Sequence, residues 1–421
     1  MYNPIARNKQ ILWFNFSWLI STLLMACTTI IFWIFIAFLL YAYIGYGIIA
    51  TTIAFVHSIT KKQDTVVLEM SLPKVTLIVP AYNELDILPQ KIHNTLALDY
   101  PTDLLDIIFI TDGSTDDCTT LLQSFSNMLH LHQPERKGKM AAMNRAMQFV
   151  KTPIVVFSDA NTLLNSIAIR EMVRHYANET IGGVAGEKKV IATQQDNLVG
   201  QGEGLYWKYE SAMKQLDSNL YTVVAAAGEL FSIRTNLYIP LPEDTVLDDL
   251  VLAISTCKQG YTIAYEKNAY AIETPSINLY EERKRKIRIA AGAAQAVARL
   301  GIVPSSTNWM LNFQFFSRRI IRWIISPIAL PIILTSNILL VIQYRAGMLY
   351  QTILLLQLCF YTMAFVGWIM YKWNKKSMLL FVPFYFVFMN SCMLIGFIKQ
   401  MLGKQKATWD KAKRVQLPKT M

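Results

Sequence analysis

The sequence predicts an α/β protein whose mostly parallel, wound sheet is inserted between transmembrane helices. The first observation is an alternation of short β-branched runs with helical patterns from about residue 72 to about residue 304, which is typical of βαβ units. The second is the length of the uncharged stretches on both sides of this region. The third is the composition, because 53% of the 421 residues are hydrophobic and only 16% are charged. An integral membrane protein with one soluble α/β domain is therefore expected.

The apolar stretches set the number of crossings. No Asp, Glu, Lys or Arg occurs from Gln10 to Thr60, whereas about 20 apolar residues suffice to cross a bilayer. Ile30–Val56 predicts one crossing, and Ile11–Cys27 predicts either a second crossing or a helix in the membrane plane. Three further crossings are predicted after the soluble domain, at Trp323–Tyr344, Ala346–Tyr371 and Ser377–Ile398.

These stretches divide the chain into five segments. They are an N-terminal transmembrane segment (1–60), a cytoplasmic α/β domain (61–304), an interfacial amphipathic segment (305–322), three transmembrane helices (323–398) and a basic C-terminal tail (399–421). Basic residues flank the α/β domain, and the positive-inside rule therefore places it in the cytoplasm, at a bacterial-type inner or plasma membrane. The side of the membrane on which the tail lies stays open.

The charge pattern favours lipid over nucleic acid as a partner. The formal net charge is +11, but the Lys and Arg residues concentrate beside apolar segments rather than along one soluble face. The five cysteines form no CxxC motif and no His/Cys cluster, so neither a disulfide framework nor a zinc site is indicated.

Within the soluble domain, periodicity predicts both strands and helices. Strands are expected at Val75–Val79, Asp106–Ile110, Ile154–Phe157 and Val223–Ala225. Helices are expected at Glu84–Ala97, Lys139–Val150 and Ser166–Ala177. Polar clusters follow the first three strands, with the sequences PAYNE, TDGSTDD and SDANT. Ligands of wound sheets bind beyond the carboxyl ends of the strands, so one crevice is expected to hold all three clusters.

Six motifs in a fixed order carry a resemblance to a known family. They are VTLIVPAYNE (75–84), TDGSTDD (111–117), RKGKMAAMN (136–144), SDANT (158–162), GELFSIR (228–234) and LDDL (247–250). This series resembles the inverting family-2 glycosyltransferases with a GT-A fold. The flanking helices are similar to the membrane-embedded branch that includes poly-N-acetylglucosamine, hyaluronan, chitin and cellulose synthases and their non-processive relatives. YWKYE (206–210) and the late FMN and ATWDKAKR segments extend the likeness.

The resemblance implies a nucleotide-sugar site. Asp112 would accept a hydrogen bond from the uracil imide, and the base and ribose would pack against Ala81, Tyr82 and Glu84. Lys139 would approach the diphosphate or the nucleoside, next to a glycine that permits close backbone approach.

The resemblance also implies a metal and a general base. Asp159 and Asn161 stand where the family has a pair of acidic metal ligands, so Mg²⁺ or Mn²⁺ would neutralise the departing diphosphate. Asn161 departs from the second carboxylate and offers only a neutral carbonyl. Asp249 matches the base that takes the proton of the acceptor hydroxyl, while Asp248 would tune the site. One displacement would give a β-linkage from an α-linked UDP-sugar.

A last motif concerns processivity. Processive members carry QxxRW at the membrane entrance, and here Glu282 replaces Gln and Lys286 replaces Trp. Arg285 is kept and Arg288 follows, so both are expected to bind the diphosphate, which guanidinium groups can grip bidentately. The lost aromatic residue removes a platform for sugar stacking.

Each of these residues also has a simpler explanation on the local sequence alone. DGS is ordinary turn chemistry, RKGK is a common solvated loop, and Asp159 with Asn161 or Asp248 with Asp249 would begin a helix well. The segment 282–286 also suits a basic amphipathic helix on anionic lipid.

The sequence therefore predicts a membrane glycosyltransferase that uses a UDP-sugar, with UDP-N-acetylglucosamine or a related hexose as donor. The acceptor is either a growing cell-surface polysaccharide or a lipid-linked acceptor that receives one sugar, and there is room for a small accessory membrane subunit. A transporter with a nucleotide-binding regulatory domain is a remote alternative, because the apolar stretches contain almost no ionisable residues.

Overall fold

The computed structural model describes residues 4–60, 71–191, 198–305 and 307–404. The chain forms two compact units. One consists of Met1–Gly45 and Ile321–Ser391, and the other of Tyr46–Ile320 and Cys392–Met421. The predicted basic tail lies largely outside the described residues, as does the ATWDKAKR segment.

The second unit contains one sheet, with eight strands among the described residues. The strands are β1 Val75–Ala81, β2 Leu105–Asp112, β3 Leu129–Gln133, β4 Ile154–Phe157, β5 Leu163–Leu164, β6 Ile181–Val190, β7 Phe231–Arg234 and β8 Thr262–Glu273. Their order is β3-β2-β1-β4-β7-β6-β8-β5. The pairs among β3, β2, β1 and β4 are parallel, as is β6 with β8, whereas β7 runs antiparallel to both of its neighbours. This mixed α/β sheet confirms the predicted fold class.

The described helices cover both units. They are α1 Pro4–Leu40, α2 Tyr46–Thr60, α3 Leu88–Leu96, α4 Cys118–Gln123, α5 Lys139–Met147, α6 Ala168–Arg174, α7 Leu198–Leu220, α8 Asp248–Lys258, α9 Leu279–Leu300, α10 Trp309–Phe315, α11 Ser326–Ile338, α12 Met348–Lys372 and α13 Met378–Met401. Short π-helical segments at Tyr41–Gly45, Phe316–Ile325 and Leu339–Gln343 join some of them.

Three of the four predicted strands are present as β1, β2 and β4, but the strand predicted at Val223–Ala225 is wrong. These residues form an irregular segment whose described ladder contact is one hydrogen bond, from the Val223 N–H to the Ile263 carbonyl at 3.0 Å. The run is apolar because it is buried, and burial alone cannot distinguish a strand from buried irregular chain. The strand beside β4 is instead β7.

The core of the α/β unit lies between the first strands and the helices packed on them. Leu77, Phe109 and Val156 point from β1, β2 and β4 and are fully buried, and they belong to one cluster with Ile92 of α3 and Ile169 of α6. Burial of large aliphatic and aromatic side chains stabilises the strands by about 1.5–3 kcal/mol each. The strand ends that carry the polar loops are therefore held rigidly.

Four described helical stretches are long and apolar enough to cross a membrane, judged by length and composition. They are Leu19–Val56, Trp309–Gln343, Met348–Lys372 and Met378–Met401. The N-terminal stretch is a single helical run, although the sequence leaves one or two crossings open. The segment predicted as interfacial, 305–322, runs from Trp309 into the second stretch. Its separation from the membrane part stays a prediction.

Candidate active site

The loops after β1, β2 and β4 meet at the carboxyl edge of the sheet, in one crevice. The PAYNE loop is tied to the TDGSTDD loop, because the Asn83 side chain accepts a hydrogen bond from the Thr115 N–H at 2.8 Å. In the same way the Leu85 N–H donates to Asp116 Oδ2 at 3.0 Å. Asn83 has a φ of 51°, and the turn it makes postpones helix α3 to Leu88.

Asp112 organises the loop that follows β3. Its Oδ2 accepts hydrogen bonds from the N–H groups of Lys137 and Gly138 at 3.0 and 2.5 Å, and its Oδ1 pairs with Arg145 Nη2 at 3.1 Å. Gly113 has a φ of 65°, and a Cβ there would lie 2.7 Å from the Arg136 backbone nitrogen. The turn at Gly113 and the RKGK loop therefore pack closely against each other. The Asp112 carboxylate, which is predicted to bind the uracil base, also holds the RKGK loop in place.

An aromatic surface borders this loop. The guanidinium of Arg136 lies 3.8 Å from the centroid of the Tyr82 ring, a cation–π contact that fixes both planar groups. Ala81 ends β1, and the Glu84 carbonyl accepts hydrogen bonds from the N–H groups of Ile87 and Leu88. The structure therefore brings Ala81, Tyr82 and Glu84 to the same edge as Asp112.

Lys139 joins two carboxylates in the centre of the crevice. Its Nζ lies 2.9 Å from Asp159 Oδ1 and 3.0 Å from Asp248 Oδ2. Although burial opposes it, the two carboxylates raise the pKa of Lys139, so the ammonium stays charged. Asp248, expected only to tune the site, is a direct partner of Lys139.

Asp249 lies beside this cluster, in the first turn of α8. Burial and the neighbouring Asp248 raise the pKa of Asp249 to about 7, against the lowering effect of Lys139. A Cβ built on Gly228 would stand 3.6 Å from Lys139 Nζ and 3.9 Å from Asp249 Cγ. Glycine at position 228 thus leaves space in front of the carboxyl and the ammonium. A carboxylate whose pKa is near neutrality suits general-base catalysis.

A buried lysine that the sequence motifs did not reveal holds the SDANT turn by hydrogen bonds. Lys91 of α3 is fully buried and donates to Ser158 Oγ at 2.7 Å and to the Thr162 carbonyl at 2.9 Å. Burial lowers the pKa of Lys91 to about 7. The sequence does contain a signal for this residue, because Lys91 lies on the buried face of the predicted helix, next to Ile92. The chain turns here and enters β5, so the expectation of a helix cap at Asp159 and Asn161 is wrong.

The side chains at this site cannot fill the coordination sphere of a metal ion by themselves. Among the residues that the structure describes, no group of three or more His, Cys, Asp or Glu side chains could hold a metal ion. Asp159 and Asn161 present hard oxygen atoms in one turn, which suit Mg²⁺ or Mn²⁺ only if diphosphate oxygens and water supply the other positions. The residues therefore fit a cation that is bound together with a diphosphate.

Arg285 lies in a separate network of buried charges. Its Nη1 is 2.6 Å from Glu203 Oε1 and 3.2 Å from Glu282 Oε2, and its Nη2 is 3.9 Å from Glu273 Oε2. All three glutamates are at most 1% exposed. Lys188 extends this network by pairing with Glu273 and Glu229. Although burial opposes it, Lys188 lowers the pKa of Glu229 to about 2. The QxxRW comparison did not predict these partners.

Arg288 is placed differently from Arg285, although both lie on α9. Burial lowers the pKa of Arg288 to about 10 against the carboxylates of Asp248 and Asp159. These carboxylates are thus near enough to act on the guanidinium. The carboxylates of Asp248 and Asp159 act to raise the pKa of Arg288, whereas Arg285 is held by the ion pairs of the glutamate network.

The chain is similar to known proteins in sequence and in fold. Residues 76–232 match the sequence model of glycosyl transferase family 2. The chain carries a family 2 glycosyltransferase domain. The match runs from β1 into β7 and so includes Asp112, Lys139 and Asp159.

Two curated relatives of this glycosyltransferase domain are similar over part of their length. The poly-β-1,6-N-acetyl-D-glucosamine synthase of Staphylococcus aureus is 23% identical over 251 residues, which are 58% of this chain and 60% of that protein. The probable glycosyltransferase YdaM of Bacillus subtilis is 25% identical over 216 residues, 46% of this chain and 49% of that one. The matches thus span about 60% or less of the relatives' length.

A solved structure has the same fold. The mannosyltransferase PcManGT from Pyrobaculum calidifontis, in complex with GDP-Man and Mn²⁺, superposes with a TM-score of 0.68 at 20% identity. The superposition covers 89% of this chain and all of that one. It confirms the GT-A-type fold that the motifs predict for the glycosyltransferase.

Proposed function

We propose that this protein is an inverting membrane glycosyltransferase that transfers a sugar from a UDP-sugar, UDP-N-acetylglucosamine or a related hexose donor, to a growing cell-surface polysaccharide. The observation that carries the proposal is the position of Asp249. This carboxyl, with a pKa of about 7, lies next to Lys139 and Asp248 and faces the space left open by Gly228.

In the proposed reaction, Asp249 accepts the proton of an acceptor hydroxyl while the hydroxyl oxygen attacks the anomeric carbon. The bond from that carbon to the diphosphate oxygen breaks, and the electron pair leaves with UDP. Attack from the face opposite to the leaving group inverts the anomeric centre and gives a β-linkage. The proton transfer is efficient because the pKa of the base is close to the operating pH.

The donor is held by the crevice on the other side of this base. Asp112 and the Ala81–Tyr82–Glu84 edge would bind the base and ribose, and Lys139 and Arg288 would bind the diphosphate. The Lys139 ammonium already pairs with Asp159, so donor binding would redistribute these contacts. Such fixed charges stabilise a leaving group without reorganisation at the moment of reaction.

A divalent cation, Mg²⁺ or Mn²⁺, would be held by Asp159 and Asn161 together with the diphosphate. When bound, such an ion neutralises charge on the leaving group. Lys91 fixes the turn that presents these two side chains. The presence of Mn²⁺ in the PcManGT complex supports the proposal.

Arg285 is proposed to assist the departure of UDP from its place in the glutamate network. Its Nη1 binds Glu203 and Glu282. To act on the diphosphate, Arg285 would therefore have to break these ion pairs or act at a distance through its charge. Lys286, at the position of the missing Trp, lies 4.7 Å from the centroid of Tyr206 and 3.4 Å from Glu282 Oε1.

The four apolar helical stretches support a membrane location, and we propose that the catalytic unit faces the cytoplasm. The alternative acceptor is a lipid-linked acceptor that receives a single sugar, with a small accessory membrane subunit as a further partner. The absence of an aromatic residue at position 286 is the observation that favours single addition.

The proposal is tested by UDP release from purified protein in lipid nanodiscs supplied in turn with several UDP-sugars and with GDP-mannose. Release is expected with UDP-N-acetylglucosamine or a related UDP-hexose, and mass spectrometry of the product distinguishes a polymer from one added sugar. Turnover of GDP-mannose alone would contradict the proposed donor. Failure of every nucleotide sugar to react would favour the regulated transporter.

A further inference from the structure

One face of α9 lies along the short segment that leads into α8. This segment, Asp244–Leu247, forms neither strand nor helix. The face of α9 that meets it consists of residues at intervals of three or four positions, Arg288, Gly292, Gln295 and Arg299. Because the 244–247 segment has no regular structure of its own, the side chains that bind it decide where the first turn of α8 lies.

Gln295 binds the backbone of the 244–247 segment at two points. Its Oε1 accepts a hydrogen bond from the Val246 N–H at 3.1 Å, and its Nε2 donates to the Asp244 carbonyl at 2.9 Å. Gln295 and Val246 are both buried. A buried backbone N–H that loses its acceptor is costly, so this contact fixes the segment relative to α9.

Arg299 binds the same segment from the surface. Its Nη1 donates to Thr245 Oγ1 at 3.0 Å, and its Nη2 lies 2.5 Å from Asp244 Oδ2. The Asp244 side chain is 55% exposed, and an exposed ion pair contributes little to stability. The buried amide of Gln295 is therefore the stronger part of the contact.

The close approach of α9 to the segment depends on Gly292. A Cβ at this position would lie 2.7 Å from Val246 Cγ1 and 2.8 Å from Val246 Cβ. Val246 is buried and has little room to move away, so a larger residue at position 292 would push the segment and α9 apart. The same separation would draw Gln295 away from the Val246 N–H.

The 244–247 segment carries the proposed base. Asp248 and Asp249 form the first turn of α8 directly after it, and Asp248 is bound in turn by Lys139 at 3.0 Å. We propose that Gln295 is a positioning residue for Asp249, and that Gly292 permits its contact with the segment. This inference rests on the proposed function, in which Asp249 is the general base.

The first measurement compares Gln295→Met with Gln259→Met in the full chain in lipid nanodiscs. Gln295→Met keeps the length of the side chain but removes both hydrogen bonds to the segment. Its kcat for UDP release is expected to fall about tenfold or more, because a small displacement of a catalytic group is costly, while its affinity for UDP stays near that of the wild type. A wild-type kcat for Gln295→Met would overturn the proposal.

Gln259→Met is the matched control at the other end of α8. The Gln259 amide donates to the carbonyls of Leu237 and Ser255 at 3.0 and 3.2 Å, so its substitution also removes two hydrogen bonds to the backbone. The kcat of Gln259→Met is expected to equal that of the wild type. An equal fall in kcat for both variants would show a general loss of structure and would overturn the positioning role.

A double-mutant cycle with Asp249→Asn tests whether Gln295 acts through the base. Once Asp249→Asn has removed the base, Gln295→Met should lower kcat no further. Two losses that multiply would show that Gln295 acts independently of Asp249, and the inference alone would be wrong. Near-normal turnover of Asp249→Asn would instead be a failure of the proposed function, and the inference would fail with it.

Gly292→Ala tests the close approach by a different change. It is expected to lower kcat and, like Gln295→Met, to speed hydrogen exchange at the Val246 amide. Gly204→Ala is the control, because a Cβ there would have nothing within 4 Å, and it should change neither quantity. Unchanged exchange at Val246 in both variants would overturn the contact. If exchange rises in both but the wild type turns over no nucleotide sugar, the contact stands and the transfer reaction is wrong.

Discussion

Two groups of charges in the α/β unit use the same residue types for opposite purposes. In the crevice cluster of Lys139, Asp159, Asp248 and Asp249, three carboxylates share one ammonium, and the pKa of Asp249 rises to about 7. In the glutamate network around Lys188 and Arg285, each carboxylate has a cation within reach, and the pKa of Glu229 falls to about 2 despite its burial. Among the described residues Asp249 makes no ion pair and lies beside Asp248, whereas Glu229 pairs directly with Lys188. A neighbouring like charge raises the pKa of a carboxyl, and a paired cation lowers it. The crevice cluster therefore contains a carboxyl that can exchange a proton near neutral pH, whereas the glutamate network keeps Glu229 charged.

The largest effect is expected from removal of the divalent cation that we propose for the crevice cluster. Chelation by EDTA is expected to abolish activity, and Mn²⁺ or Mg²⁺ to restore it, because Asp159 and Asn161 cannot neutralise a diphosphate. Asp159→Ala should resist this rescue, since it removes the charged ligand. The measurement is UDP release against metal concentration, together with binding of Mn²⁺ measured by electron paramagnetic resonance in the presence of UDP. Full activity in EDTA would exclude the metal.

The next largest effect concerns the base. Asp249→Asn keeps the size of the side chain but cannot accept a proton, so turnover should fall about 10²-fold or more while UDP binding is nearly unchanged. Steady-state kinetics and calorimetry with UDP measure the two quantities. Asp248→Asn is the matched comparison on the same helical turn, and it is expected to weaken the anchoring of Lys139 as well. Near-normal turnover of Asp249→Asn would remove Asp249 as the base.

Substitution of Arg285 and Arg288, which both lie on α9, compares the glutamate network with the crevice cluster. Arg285→Ala leaves three buried glutamates with less compensation, so it should destabilise the fold by about 3–5 kcal/mol as well as lower the rate. Arg288→Ala should lower the rate with a smaller change in melting temperature, because we propose that Arg288 binds the diphosphate.

Lysine at the same positions tests the kind of contact. Arg285→Lys should recover little activity if the guanidinium contacts are bidentate. Wild-type turnover of Arg285→Lys in detergent without anionic lipid would refute a leaving-group role for Arg285. Restoration that requires anionic lipid would instead identify α9 as a lipid-binding helix.

The smallest expected effect is a shift in pH dependence. Asp249 has to be ionised to act, so kcat/KM should fall as the pH drops below about 7. The carboxylate of Glu229 contributes to the raised pKa of Asp249, so Glu229→Gln should move the acidic limb of the profile to lower pH. An unchanged acidic limb would show that the charge of Glu229 does not influence the pKa of Asp249.

The sequence predicts the parts of this molecule that depend on local pattern. β1, β2 and β4 were identifiable from β-branched runs, and the loops at their ends from turn residues. Val223–Ala225 misled the prediction because its apolar side chains are buried without forming a ladder. The position of Asp112 and Asp159 at one edge followed from the rule that parallel strands present their carboxyl ends together. Lys139 was expected near them only from the family resemblance, because the strand before it, β3, was not predicted.

Contacts between distant residues could not be predicted in this way. Arg285 pairs with Glu203, which lies 82 positions away on another helix. The residue pattern of either helix alone does not predict this contact. The clamp from Lys91 to Ser158 spans 67 positions. Local sequence identifies which residues can ionise, but only the packing of α7, α9 and the sheet decides which charges are shared and which are paired.

The most direct test of the account is the anomeric configuration of the product. Purified protein is supplied with an α-linked UDP-sugar that it turns over and with an oligosaccharide acceptor, and the new linkage is identified by nuclear magnetic resonance. A single displacement with Asp249 as base predicts a β-linkage. An α-linkage would contradict the single displacement and the role of Asp249.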